Sequence, residues 1–290
     1  MSPETLASVY AAVGRWFWYV SIVAIGGAAG FRVAIRGQVA RGLHRFSLAA
    51  AIVLSAAVMW RLYAQTYSIF GIDESVTGEY VRIVAFDTAW GTGWRWQMAA
   101  AILTVALLAT SFYLPRARTA LTGAAALALV VTAPLTGHAV SGEGMVWLSV
   151  ILQIAHMAGA SLWVGTLLAV MLFVRPGNDS VFAAAVRAFS PLAVGAVSVL
   201  VGSGVLTAIV YLDSISDLWT GIYGRILVLK LLLFGVVAGL GAYNWRRLKP
   251  TIDQPKTVVL LRRSARTELI IGGVTLAVTA VLVALPLVHE

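Results

Sequence analysis

Residues 151–174 read ILQIAHMAGASLWVGTLLAVMLFV, 24 positions with no charge between Glu143 on one side and Arg175 on the other. Coiled into a helix at about 1.5 Å per residue, such a run outreaches a hydrocarbon core of about 30 Å. It is one of eight apolar runs, near 9–31, 46–66, 91–114, 119–137, 146–174, 189–212, 222–245 and 269–288. Little chain is left between them. With 60% hydrophobic and 11% charged residues over 290 positions, this is no ordinary soluble domain, which averages about 25% charged. The expected fold is all-α, an integral membrane bundle of eight transmembrane helices.

Charge sidedness supports an even number of spans. The odd-numbered connections hold 15 of the 21 basic residues, among them Arg32, Arg41, Arg116, Arg175 and the cluster from Arg246 to Arg266. The termini and even-numbered connections hold nine of the 12 acids. Basic connections stay cytoplasmic, so both termini are expected on the periplasmic side of an inner membrane. The net charge of +9 then reflects topology and contact with membrane lipids rather than nucleic-acid binding. The first run lacks a basic leader and a small-residue cleavage site, which predicts a retained helix. No cysteine is present, so disulfides and thiolate metal sites are excluded.

The two halves, 1–137 and 138–290, read as diverged four-span copies with the same orientation. Arg45-Phe46-Ser47-Leu48-Ala49 corresponds to Ala188-Phe189-Ser190-Pro191-Leu192-Ala193, and Trp90-Gly91 with Gln97 corresponds to Tyr223-Gly224 with Lys230. Between the second and third runs, Val76, Tyr80, Val81, Val84 and Phe86 suit a short amphipathic helix in the interface, with 215–223 as its smaller counterpart. Trp90, Trp94, Trp96, Trp147 and Trp219 belong to the same outer surface.

His156 is the residue most in need of a task, since an imidazole deep in an apolar span requires a partner. It shares a helical face with Gly159, Ala160 and Trp163, which turns it inward. Met59 and Met98 lie about 10 Å below the outer surface, and His138 and Met145 lie at that surface. Imidazole and thioether are uncharged ligands suited to Cu(I), so His138, Met145, Met59, Met98 and His156 form a candidate copper path. Each methionine alone also serves as core filler. Arg15, Arg61, Arg95 and Arg225 are expected at outer helix ends, with their heads in the headgroup region. Lys230 is deeper and has no acid at its depth; haem propionates would suit it, which keeps a haem b cytochrome as a competing reading. Glu268 with Arg266 reads as an interfacial ion pair, with assistance to ion release as the alternative, and Asn244 and Tyr243 near the same surface receive no role. No P-loop, dinucleotide-binding glycine pattern, HExxH or intramembrane acid pair occurs, so no enzyme is expected.

Several strings resemble the copper resistance protein D (CopD) family: Thr136-Gly137-His138-Ala139, His156-Met157-Ala158-Gly159 through Trp163-Val164-Gly165, Phe189-Ser190-Pro191, and Tyr223-Gly224-Arg225 with Lys230. Ser203-Gly204-Val205-Leu206-Thr207-Ala208 and Arg266-Thr267-Glu268, with the close Leu285-Pro286, complete the likeness, which is fairly specific from about 130 to 288. It implies an eight-span inner-membrane protein of copper uptake and resistance, a periplasmic copper-binding partner, and His138 and His156 as ligands. The chain departs from the family's pattern in carrying Trp18 in its first span, where the family has a histidine. A non-transporting subunit of a respiratory or oxidase-assembly membrane complex is a third reading.

Overall fold

A computed structural model describes residues 2–35, 41–137, 145–211 and 216–284. Eight of its helices are long and apolar enough to cross a membrane, and no strand occurs among the described residues. The spans are α1 (Pro3–Ala34), α2 (Arg41–Phe70), α4 (Ala89–Tyr113), α5 (Arg118–Thr132), α6 with α7 (Val146–Ala160, Thr166–Phe173), α8 (Asp179–Tyr211), α10 (Ile222–Tyr243) and α11 (Pro255–Leu282). Two short helices, α3 (Gly78–Phe86) and α9 (Asp217–Thr220), lie between spans at one end. We call that end acidic and the opposite end basic.

The bundle is built around α1. Ser2 caps it by accepting from the Thr5 amide at 3.3 Å, Pro3 stands in its first turn, and Glu4 complements the positive end of its dipole. Of the 18-residue membrane window of α1, 78% is buried, against 6% for α10. The helices α2, α5, α7 and α11 pack around it. Close approach depends on missing side chains: Gly26 meets Ser161, Gly27 meets the backbone of Gly165, and Gly30 meets Thr166. A Cβ on Gly27 or Gly165 would collide with main-chain atoms of the other helix.

Helices extend beyond several of the expected apolar runs. The helix expected from 189 begins at Asp179, and that expected from 269 begins at Pro255. Polar residues at the basic end continue the helical hydrogen bonding past the hydrocarbon boundary, which an apolar window does not register. Pro191 sits inside α8, where it withholds one backbone donor. The interfacial helix expected around 76–87 forms as α3, capped by Thr77 Oγ1 accepting from the Tyr80 amide at 3.3 Å. Within the stretch expected as its smaller counterpart, the single helical turn α9 forms.

Two π-helical turns interrupt the second half, at Ser161–Gly165 between α6 and α7 and at Asn244–Leu248 after α10. Such turns insert a residue and rotate the next stretch of helix. Gly159, ahead of the first of these turns, faces α8, where a Cβ would stand 2.7 Å from the Ala196 carbonyl oxygen, and Trp163, within it, meets Phe234 of α10 at a ring separation of 6.1 Å. Trp163 also belongs to the core cluster that holds Ala196 and Leu200 of α8, the helix that His156 and Gly159 face.

Candidate functional site

Polar groups inside the bundle gather at several places, three of which hold residues expected to carry the site. Nearest the acidic end, Arg61 is 5% exposed, so the expectation that its head reaches the headgroup region is corrected. Its guanidinium donates to Gln97 Oε1 and to Thr136 Oγ1, each at 2.6 Å, and lies 4.4 Å from the Trp18 ring centre. Gln97 Nε2 in turn donates to the carbonyls of Thr132 and Ala133 at 3.1 and 3.2 Å. A buried guanidinium without an acid is tolerable when oxygen dipoles and an aromatic face replace water, and here they do. The network spans α1, α2, α4 and the 3₁₀ turn Ala133–Thr136, and so fixes the chain two residues before His138. His138 itself lies outside the described residues.

The other cations of this group donate mainly to backbone carbonyls. Arg95 donates to the Ala85 carbonyl at 2.7 Å and to Thr92 Oγ1 at 3.0 Å, tying α3 to α4. Arg225 is exposed and donates to the Trp219 carbonyl at 3.4 Å. Arg15 is half-buried and donates to the Val283 carbonyl.

The second place is the seam between α6 and α8. His156 Nδ1 lies 3.3 Å from Ser203 Oγ, and its ring passes beside Gly204, where a Cβ would stand 3.4 Å from Cε1. Ser203 Oγ also donates to the Val199 carbonyl at 2.7 Å. Lys230 of α10 is half-buried, within electrostatic reach of His156, and no acid pairs with it among the described residues. The methionines divide. Met98 and Met157 pack on the cluster formed mainly by α1, α2, α4 and α5; Met59 is 53% exposed on the outer face of α2, and Met145 is 61% exposed at the acidic end. Met59 faces outward because Val58, Arg61 and Leu62 occupy the inward face of its helix. Among the described residues, no group of three or more His, Asp or Glu side chains could hold a metal ion.

The third place lies toward the basic end. A cavity of about 280 Å³ opens among α8, α10 and α11, bordered by Trp163, Phe189, Ser198, Gly241, Asn244 and Glu268. Glu268 is 5% exposed and accepts a hydrogen bond from Asn244 Nδ2, which corrects the expected ion pair with Arg266. Arg266 is exposed. Two residues along a helix turn the side chain by about 200°, so those two side chains cannot share a face.

Sequence reasoning missed Asn244, Gln97 as a guanidinium partner, Ser203, and a buried group at the basic end. In that group His44 Nδ1 lies 3.2 Å from Ser111 Oγ, Arg118 Nε donates to the Ser111 carbonyl at 3.1 Å, and Arg32 is buried nearby. The parallel between Gln97 and Lys230 in the two halves was the one available signal for Gln97.

Comparisons with known proteins agree with this architecture. The family description "Copper resistance protein D-like, N-terminal domain" matches residues 5–148, and "Copper resistance protein D" matches residues 183–282. Copper transport protein CutJ of Bacillus subtilis is 29% identical over 215 residues, 71% of this chain. The chain spans 39% of that relative's length. Copper resistance protein D of Pseudomonas syringae pv. tomato is 27% identical over 222 residues, covering 70% of each chain. No solved structure gives a significant match. An eight-helix membrane bundle, matched in both halves by these descriptions, places the chain in the copper resistance protein D family.

Proposed function

We propose that the bundle carries copper as Cu(I) from the periplasmic side of an inner membrane, with both termini on that side and the basic end in the cytoplasm. The reading rests chiefly on His156. Ser203 spends its hydroxyl proton on the Val199 carbonyl, so toward the imidazole it is an acceptor and Nδ1 carries the ring proton. Nε2 is then left with its lone pair, the form in which imidazole binds a metal. Soft, uncharged ligands suit Cu(I), and sparse ligation suits an ion that must leave again. His138 and Met145 receive the ion at the acidic end, His156 holds it at mid-bundle, and Met98 is the thioether reaching inward from α4. Met59 faces away from this path. The Arg61 network positions the segment that leads to His138. A periplasmic copper-binding protein is the partner this reading calls for, and the halves 1–137 and 138–290 are its parallel repeats.

His156→Ala is expected to lower copper accumulation several-fold in cells expressing the protein, with membrane abundance unchanged. Ser203→Ala should weaken Cu(I) binding by about 10–100-fold, the usual effect of releasing a ligand from its orienting partner. Unchanged accumulation in the His156 variant sinks the reading. A Soret absorption band in the purified protein would replace it with the haem alternative.

A further inference from the structure

The cavity near the basic end holds a group that the copper path does not use. Glu268 brings a carboxyl group into an apolar enclosure, and no basic side chain pairs with it among the described residues. An uncompensated carboxylate in such surroundings is costly. Its one hydrogen bond comes from Asn244 Nδ2 to Oε1. Asn244 is 8% exposed, and its remaining polar atom, Oδ1, is buried without a donor. Both deficits have the same remedy. A proton on Glu268 removes the charge and gives the carboxyl group in contact with Asn244 an O–H donor, the kind of group that the amide oxygen lacks, since a neutral carboxylic acid and a primary amide are complementary in both directions.

The surroundings allow such a proton to come and go. Glu268 Oε2 borders Gly241, where a Cβ would stand 3.7 Å from it, so the absent side chain leaves the carboxyl open to the cavity. Other groups facing this space are Ser190 and Ser198 from α8, the indoles of Trp163 and Trp245, and Lys249, whose ammonium marks the route to the basic end. Arg266 on the same helix points outward. Trp163 and Asn244 each belong to a π-helical turn, and these local irregularities bring both side chains to the cavity.

We propose that Glu268 and Asn244 form a proton-exchange site, at which the carboxyl takes one proton from the aqueous phase at the basic end and returns it there. No bond between heavy atoms is made or broken. Oxygen ligands do not suit Cu(I), so this is not another stop for the metal. Its service as a counter-ion site for copper movement rests on the transport reading; the site itself does not.

Dicyclohexylcarbodiimide, an apolar reagent that adds to protonated carboxyl groups, is the probe. In the intact protein in detergent, mass spectrometry should find one carbodiimide added at Glu268, falling as pH is raised, and none in Glu268→Gln. Absence of the adduct in the wild-type protein, or an adduct yield that ignores pH, overturns the proposal. The same proteins in vesicles holding a pH-sensitive dye separate the two readings. Copper uptake with an internal pH change that Glu268→Gln abolishes supports the coupling, and copper uptake with no such change overturns it. A labelled Glu268 in vesicles that take up no copper overturns the transport reading and leaves the proton site standing.

Discussion

Gly165→Leu is expected to leave little folded protein. Its side chain would have to occupy the space of the Val23 carbonyl and the Gly27 backbone on α1. Overfilling a packed interior with side chains that can adjust costs about 1–3 kcal/mol. Here the obstructing atoms are main chain, so α1 would have to move, and α2, α5, α7 and α11 rest on it. Expression followed by size-exclusion chromatography in detergent is the measurement. Gly239→Ala is the control: nothing lies within 4 Å of a Cβ built there, and alanine favours the helix over glycine by about 1 kcal/mol. If Gly165→Leu elutes and melts like the control, the contact between Gly27 and Gly165 does not hold the bundle together.

Gln97→Leu carries the second large effect. The volume is nearly kept, but Arg61 loses an acceptor and the carbonyls of Thr132 and Ala133 lose their side-chain donor. Stranding a buried charge in this way costs on the order of 3 kcal/mol. A lowered melting temperature is expected. The informative comparison is Arg61→Met combined with Gln97→Leu, which removes both the charge and its partner. Replacing a buried polar pair by apolar groups of similar shape is often close to neutral, so the double variant should be more stable than Gln97→Leu alone. Simple additivity of the two losses would show that Arg61 and Gln97 do not act as a unit.

These two sites also mark where a linear sequence stops being informative. The eight spans were legible because each is a long, predominantly apolar run and because basic connections alternate with acidic ones. Depth along a span was legible too, from a count of residues. Direction around the helix and the identity of partners were not. Arg61 stands near the end of an apolar run, where a long side chain ordinarily reaches water, and only folding brings it Gln97, 36 positions away, and Thr136, 75 positions away. Met59 shares the depth expected of a ligand yet faces outward. The π-helical turns escaped notice because periodicity assumes 3.6 residues per turn throughout. Glu268 was assigned to its sequence neighbour Arg266, whereas its partner Asn244 comes from the preceding span. In each case the missing quantity is an azimuth or a long-range pairing, which composition does not encode.

The enclosed position of α1 bears on how the protein is made. Among the eight spans α1 leaves the ribosome ahead of its partners, yet in the finished molecule it has the least exposure to lipid. It must therefore wait in the bilayer with Gly26, Gly27 and Gly30 facing acyl chains until the span containing Gly165 arrives more than a hundred residues later. The first helix inserted is thus among the last to be sealed from lipid, and lateral assembly is a late, concerted closure around a waiting central post.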